Sequence, residues 1–187
     1  MADNPIPLFR SATAVADRVV AAVPVDQLDA PTPCADWRVH DVINHLVTGN
    51  LLAVSLITGD PPPDRSADHL GDQPLAALRD SLRRLDKAFT TDGVLTRRYR
   101  GPVGETPGSR LVWMRTAELA VHAWDIARAT AQPTDLDQYL AEIVLATFRA
   151  GPALPRGDGA PFGVEQPAPP DATAADRLAA FLGRRVD

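Results

Sequence analysis

"LVWMRTAELAVHAWDIARAT", residues 111–130, decides the fold. Apolar residues return every three or four positions with no proline or glycine between them, so the stretch reads as one helix over about 109–131. At roughly 100° per residue, Leu111, Arg115, Glu118, His122, Ile126 and Ala129 share one side, flanked by Leu119 and Asp125. Turned outward, that side would expose Leu111 and Ile126. Turned inward, it buries Arg115, Glu118 and His122, and a lone charge taken out of water is costly unless something pairs with it. The row therefore implies a self-contained Arg–Glu–His hydrogen-bond cluster or a bound ion, and the pattern alone leaves both open.

The same period governs the rest of the chain, and no long stretch alternates with period two. Further helices are expected over about 5–23, 37–58, 74–90 and 134–149, with Asp36 as the cap of the second. Pro24, Pro31 and Pro33 mark a loop before the second helix, and the prolines at 61–63 end it, since proline removes a donor and clashes with the preceding turn. The connection "TTDGVLTRRYRGPVGETPGS" is about twenty residues, long for a bundle and so suspect as a lid or rim, with a short extended segment near "VLTRRYR". After residue 150 the composition turns to Pro, Gly and Asp before "ATAADRLAAFLGRR" recovers helical spacing. The expected architecture is all-α: an antiparallel four-helix bundle over 1–150, and over 151–187 an extension whose short helix docks back onto it.

The chain has 187 residues, enough for one domain with a real core, and its 45% hydrophobic and 23% charged residues are ordinary for a globular protein. A net charge of −5 argues against nucleic acid or an anionic membrane as the main partner. One cysteine, Cys34, excludes an internal disulfide and suits a reducing cytosol, and no signal peptide or membrane-spanning run is evident. The expectation is a cytoplasmic protein.

Glu118 and His122 stand one turn apart, with Cβ atoms about 5–6 Å apart, so both can reach a single first-row ion at about 2 Å. A third donor must come from elsewhere. His69 lies in the Pro/Asp-rich loop and His40 in the first turn of the second helix, both reading as solvated. His45, in mid-helix at the edge of the apolar stripe, can look across the interior at a facing helix. His45, Glu118 and His122 would leave room for water or substrate, the pattern of a catalytic rather than a structural metal site. Arg115 reads as the partner that orients Glu118, as a clamp for an anionic substrate, or equally as half of an ordinary core ion pair. Asp125 suggests a cap-like role or an acceptor for a neighbouring helix or ligand, and Asn50 a bond to neighbouring backbone. Cys34 reads as a small buried group, although the following helix N-terminus could lower its thiol pKa. Trp37, Trp113 and Trp124 read as packing residues, and "RRYR" at 97–100 as a solvated rim.

"PTPCADWRVHDVINHLVTGN", "GPVGETPGSRLVWMRTAELAVHAWDIARAT" and "FGVEQPAPPDATAADRLAAFLGR" together resemble the actinobacterial DinB-like metal-binding family, related to the metal domain of mycothiol-dependent maleylpyruvate isomerase. The resemblance covers almost the whole chain. It implies a four-helix bundle holding a divalent ion, zinc or nickel, on the His of an "HL" step and on two residues a turn apart on a later helix. Those positions are His45, Glu118 and His122 here. It also implies a low-molecular-weight thiol such as mycothiol as cosubstrate and a transferase or isomerase reaction with a small electrophile; the all-α class and apolar content are compatible with a homodimer. The match stops short of the isomerase's second domain, so substrate groups carried there do not transfer. A non-catalytic metal-binding or stress module, and a hydrolase using metal-bound water, are the alternative functions.

Overall fold

The computed structural model describes residues 4–34, 36–101, 104–157 and 159–186. Among these the chain is mostly helical: α1 Ile6–Ala21, α2 Val39–Thr58, α3 Pro74–Phe89, α4 Gly108–Ala129, α5 Gln138–Ala150 and α6 Ala174–Phe181. A single 3-10 turn at Val25–Gln27 and a two-stranded hairpin complete it.

Four long helices enclose the core. α1 lies against α4 and α3, and α2 against α3 and α4. α1 supplies Phe9, Ala12, Val15, Ala16, Val19 and Val20 at helical spacing, and Phe9 meets Phe89 of α3 edge to face with ring centres 5.1 Å apart. Arg10 with Asp86, and Arg79 with Asp17, tie the same two helices together at the surface. α4 is the central element and is buried on nearly every side, including Val112, Leu119, Ala123, Ile126 and Ala127. By length and composition α2 is long and apolar enough to cross a bilayer. In the folded chain its stripe of Val39, Val42, Ile43, Leu46 and Val47 instead fills the shared core.

Several boundaries differ from the sequence reading, each for a local reason. α2 begins at Val39, not at 37: Asp36 takes φ +67°, a left-handed conformation that suits a turn. The helix start is satisfied from inside, where Asp41 accepts the Arg38 N–H at 2.9 Å. α5 starts four residues later than 134, where Asp137 caps the helix by accepting the Leu140 N–H at 3.0 Å. The long connection holds a hairpin, β1 Arg98–Gly101 paired antiparallel with β2 Gly104–Pro107, where one extended segment was expected. Within "RRYR" only the arginines are exposed: Arg98 pairs with Glu105 at 3.2 Å, while Tyr99 is buried.

α6 packs on α5 and α4. Thr173 caps it by accepting the Asp176 N–H, and the Asp176 carboxylate accepts both the Thr173 hydroxyl and the Trp124 indole N–H, each at 2.8 Å. This docking brings the segment after α6, with Arg184, against the inner end of α4.

Candidate metal centre

α2 and α4 run antiparallel where they meet, so rising numbers on one face falling numbers on the other. His45 faces Glu118 and His122, and Leu46 and Asn50 face Arg115. One ligand atom from each of His45, Glu118 and His122 lies within 4.8 Å of the other two. His45 Nε2 stands 2.9 Å from Glu118 Oε2. Two donors that each sit about 2.1 Å from one tetrahedral ion are roughly 3.4 Å apart, so this hydrogen-bonded pair needs to part by only about 0.5 Å to share a cation. Two nitrogens and a carboxylate oxygen are also the donor chemistry of a first-row divalent metal. The residues therefore fit such an ion.

Each donor is held from behind. His122 Nδ1 lies 3.0 Å from Asp125 Oδ2, which makes Nδ1 the protonated nitrogen and turns Nε2 toward the other two donors. Asp125 is fully buried and accepts two further bonds from Arg184, Nε to Oδ1 at 3.1 Å and Nη2 to Oδ2 at 2.9 Å. Burial opposes ionisation of Asp125, but the bonds from His122 and Arg184 outweigh it and hold the carboxyl below its usual range. Of the two roles open to Asp125, the structure shows the acceptor for a neighbouring side chain, His122, and not the cap, and adds a buried ion pair with the C-terminal segment. Arg184 carried no signal in the sequence, because only the docking of α6 brings it there.

Glu118 is the more open donor, with 39% of its side chain exposed. Burial raises its proton affinity, yet the hydrogen bond from His45 and the charges of Arg115, His45 and His122 together hold it well below the usual carboxylate range. Arg115 Nη1 donates to Glu118 Oε2 at 3.2 Å, Nη2 to the Leu46 carbonyl at 3.1 Å and Nε to Asn50 Oδ1 at 3.2 Å. Asn50 passes its own amide N–H to Ser81 of α3 at 3.0 Å. The backbone role expected for Asn50 therefore gives way to a chain of side chains from α3 through α2 to the Arg115 guanidinium. Gly49 makes room for that guanidinium: a Cβ there would sit 2.2 Å from Nη1.

Trp37 was expected only to pack, but it lies over the donors. Its ring centre is 4.7 Å from that of His45 and 5.9 Å from that of His122. The turn before it is held by the Thr32 hydroxyl, which donates toward the Cys34 and Trp37 carbonyls and accepts the Cys34 N–H. Cys34, His122 and Asp125 form a second close group of possible ligands. It suits an ion less well, because Asp125 is already neutralised by Arg184. Burial, with the nearby Asp125 charge, pushes the Cys34 thiol up, away from the thiolate, so the low-pKa alternative does not apply. The remaining histidines stay outside the group: His40 lies near Asp41 and Asp68, and His69 bonds the Asp64 carbonyl.

His45 and Glu118 line a cleft of about 620 Å³ between α2 and α4, and the buried His122 stands behind them. One wall comes from the loop after α2, which Asn44 holds by accepting the His69 N–H and donating to the Ala67 carbonyl. Gly101 and Thr106 of the hairpin close the far end. A cation beside an accessible cleft can hold and polarise a small molecule entering from solvent.

Comparison with known proteins adds to this geometry. The family of the mycothiol maleylpyruvate isomerase N-terminal domain matches residues 9–127. Two uncharacterized proteins from two strains of Mycobacterium tuberculosis are each 40% identical over 170 residues, spanning 90% of this chain and 91% of the relative. The crystal structures of the mycothiol-dependent maleylpyruvate isomerase and of a histidine-to-alanine mutant of it both superpose with a TM-score of 0.59. They share 18% and 19% identity, over 81% of this chain and 73% of theirs.

Proposed function

The chain belongs to the mycothiol maleylpyruvate isomerase N-terminal domain family, and from that premise we propose that it binds one divalent metal through His45, Glu118 and His122 and uses it to activate a low-molecular-weight thiol of the mycothiol type for transfer or isomerisation. The observation that carries this reading is the convergence of three donors from two helices, two of which, His45 and Glu118, line an open cleft. Zinc is the metal this donor set suits best, with nickel the alternative. α1 to α4 are read as an antiparallel four-helix bundle within 1–150, and 151–187 as an extension that braces it. The expected setting is the cytoplasm, where such thiols are kept reduced.

A divalent ion held there would lower the pKa of a bound thiol and keep it as thiolate, the nucleophilic form. The chain's own residues prepare for this in three ways. Asp125, fixed by Arg184, sets the tautomer and direction of His122. Arg115, seated over Gly49, holds Glu118 ionised and aimed at the histidines. Trp37 covers the imidazoles with an apolar ring and limits water at the donors. The open cleft favours catalysis over a storage or sensing role, since a site that only holds metal has no use for access beside it.

The test is elemental analysis of the purified protein and of its His45→Ala variant. One equivalent of metal in the first and a large loss in the second is expected, and full retention in the variant would refute the ligand set. Consumption of mycothiol with model electrophiles should then cease when a chelator is added. Turnover that ignores the chelator would refute the role of the metal in activating the thiol.

A further inference from the structure

The cleft changes character along its length. His45 and Glu118 occupy one end, and Asp36, Asp41 and Asn44 line the rim near them. Further along α2 and α4 the lining becomes Leu52, Leu56, Leu111 and Met114. Helical rise places Leu52 about 10 Å and Leu56 about 16 Å beyond His45 along α2. The hairpin backbone rests on this end, since a Cβ at Gly101 would stand 3.2 Å from Leu56 Cδ1. Leu52, Leu56 and Met114 are only half-buried, so apolar surface faces the opening in line with the donors.

The charges of the cleft do not favour an anion at that apolar end. Three carboxylates, Asp36, Asp41 and Glu118, face two guanidiniums, Arg65 and Arg115. Arg115 is buried and already paired with Glu118, and Arg65 is exposed on the loop wall. A dicarboxylate would leave its charges against leucine and methionine side chains, unpaired and desolvated. An aryl or alkyl body of similar size would instead cover surface that now faces water.

Building on the proposed thiol chemistry, we infer that the second substrate is an uncharged electrophile with an apolar aryl or alkyl body, lodged between Leu52 and Met114 while its reactive carbon points toward the donors. The matching step forms a carbon–sulfur bond from the thiolate, and the leaving group departs with its bonding electron pair. At an activated alkene the neighbouring carbon takes a proton instead.

The experiment compares conjugates that mimic the product. S-benzyl and S-carboxymethyl derivatives are prepared both on mycothiol and on N-acetylcysteine, and their binding to the metal-containing protein is measured by calorimetry. The benzyl member of each pair should bind about tenfold tighter or better, as apolar pockets discriminate by that order for a few methylenes. The variants Met114→Gln and Leu52→Asn should each reduce that preference at least about threefold. Equal or tighter binding of the carboxymethyl conjugates, or a preference indifferent to both variants, would overturn the inference. Benzyl preference on N-acetylcysteine with no binding of any mycothiol conjugate would overturn the mycothiol reading and leave the apolar end standing. Mycothiol binding without benzyl preference would do the reverse.

Discussion

Replacing Gly49 with alanine is expected to destabilise the protein, although alanine is the better helix former. In a helix interior the change alone would stabilise by about 1 kcal/mol. At this position the new Cβ would stand 2.2 Å from Arg115 Nη1 and 2.8 Å from Cζ, where carbon contacts settle near 3.5 Å or more. The guanidinium must therefore move by about 1 Å or more, and its bonds to the Leu46 carbonyl and Asn50 are the ones that stretch. Hydrogen bonds involving a charged group contribute about 1.5–3 kcal/mol each. Partial loss of two, less the helix gain, leaves a net cost of roughly 1–3 kcal/mol. Urea unfolding of Gly49→Ala, Arg115→Ala and the double variant measures this directly. In the Arg115→Ala background the clash is gone, so Gly49→Ala should become stabilising by about 0.5–1 kcal/mol. A stabilising Gly49→Ala in the natural background, or the same effect in both backgrounds, would refute the reasoning.

Arg184→Ala should cost about 3–5 kcal/mol, the usual penalty for leaving a buried charge unpaired, and should weaken metal binding about 10–100-fold through the loosened His122. Unchanged metal affinity in a folded variant would show that Arg184 only anchors the C-terminal segment. Chelation should lower the melting temperature of the protein by several degrees, since a ligand at 100 times its Kd adds about 2.7 kcal/mol, and should not shift His45→Ala. Asp176 has its pKa lowered: burial opposes ionisation, but the Trp124 and Thr173 hydrogen bonds prevail. Its stabilising contribution is therefore complete above the unfolded value of about 3.9 and fades as pH falls through the lower folded value. Trp124 fluorescence should report α6 loosening in that acid range, and Asp176→Asn should flatten the transition.

The helix pattern was legible because burial repeats along the chain at the helical period. α1 to α4 follow from residues such as Phe9, Leu46, Leu85 and Ile126, each with an apolar residue one turn away: Ala12, Ile43, Leu82 and Ala123. Helix starts were less legible, because a cap depends on one side chain's direction: Asp41 reaching back and Asp137 reaching forward look no different in sequence from Asp36, which does neither. The hairpin was only half visible, since Gly104–Pro107 has no alternating pattern and takes its strand form from pairing with β1.

The sequence by itself determined a mostly helical chain and a polar row, Arg115, Glu118 and His122, on a helix with no exposed side to spare. It also singled out His45 as the histidine able to face that row, because both rows are fixed by local periodicity. Only the tertiary structure decided that Arg184, 59 residues beyond Asp125, grips it, that Gly49 admits the Arg115 guanidinium, and that Trp37 lies over both imidazoles. These contacts join residues whose sequence neighbours carry no trace of the partner. They arise only where separate elements pack, and local propensity does not encode which surfaces will meet.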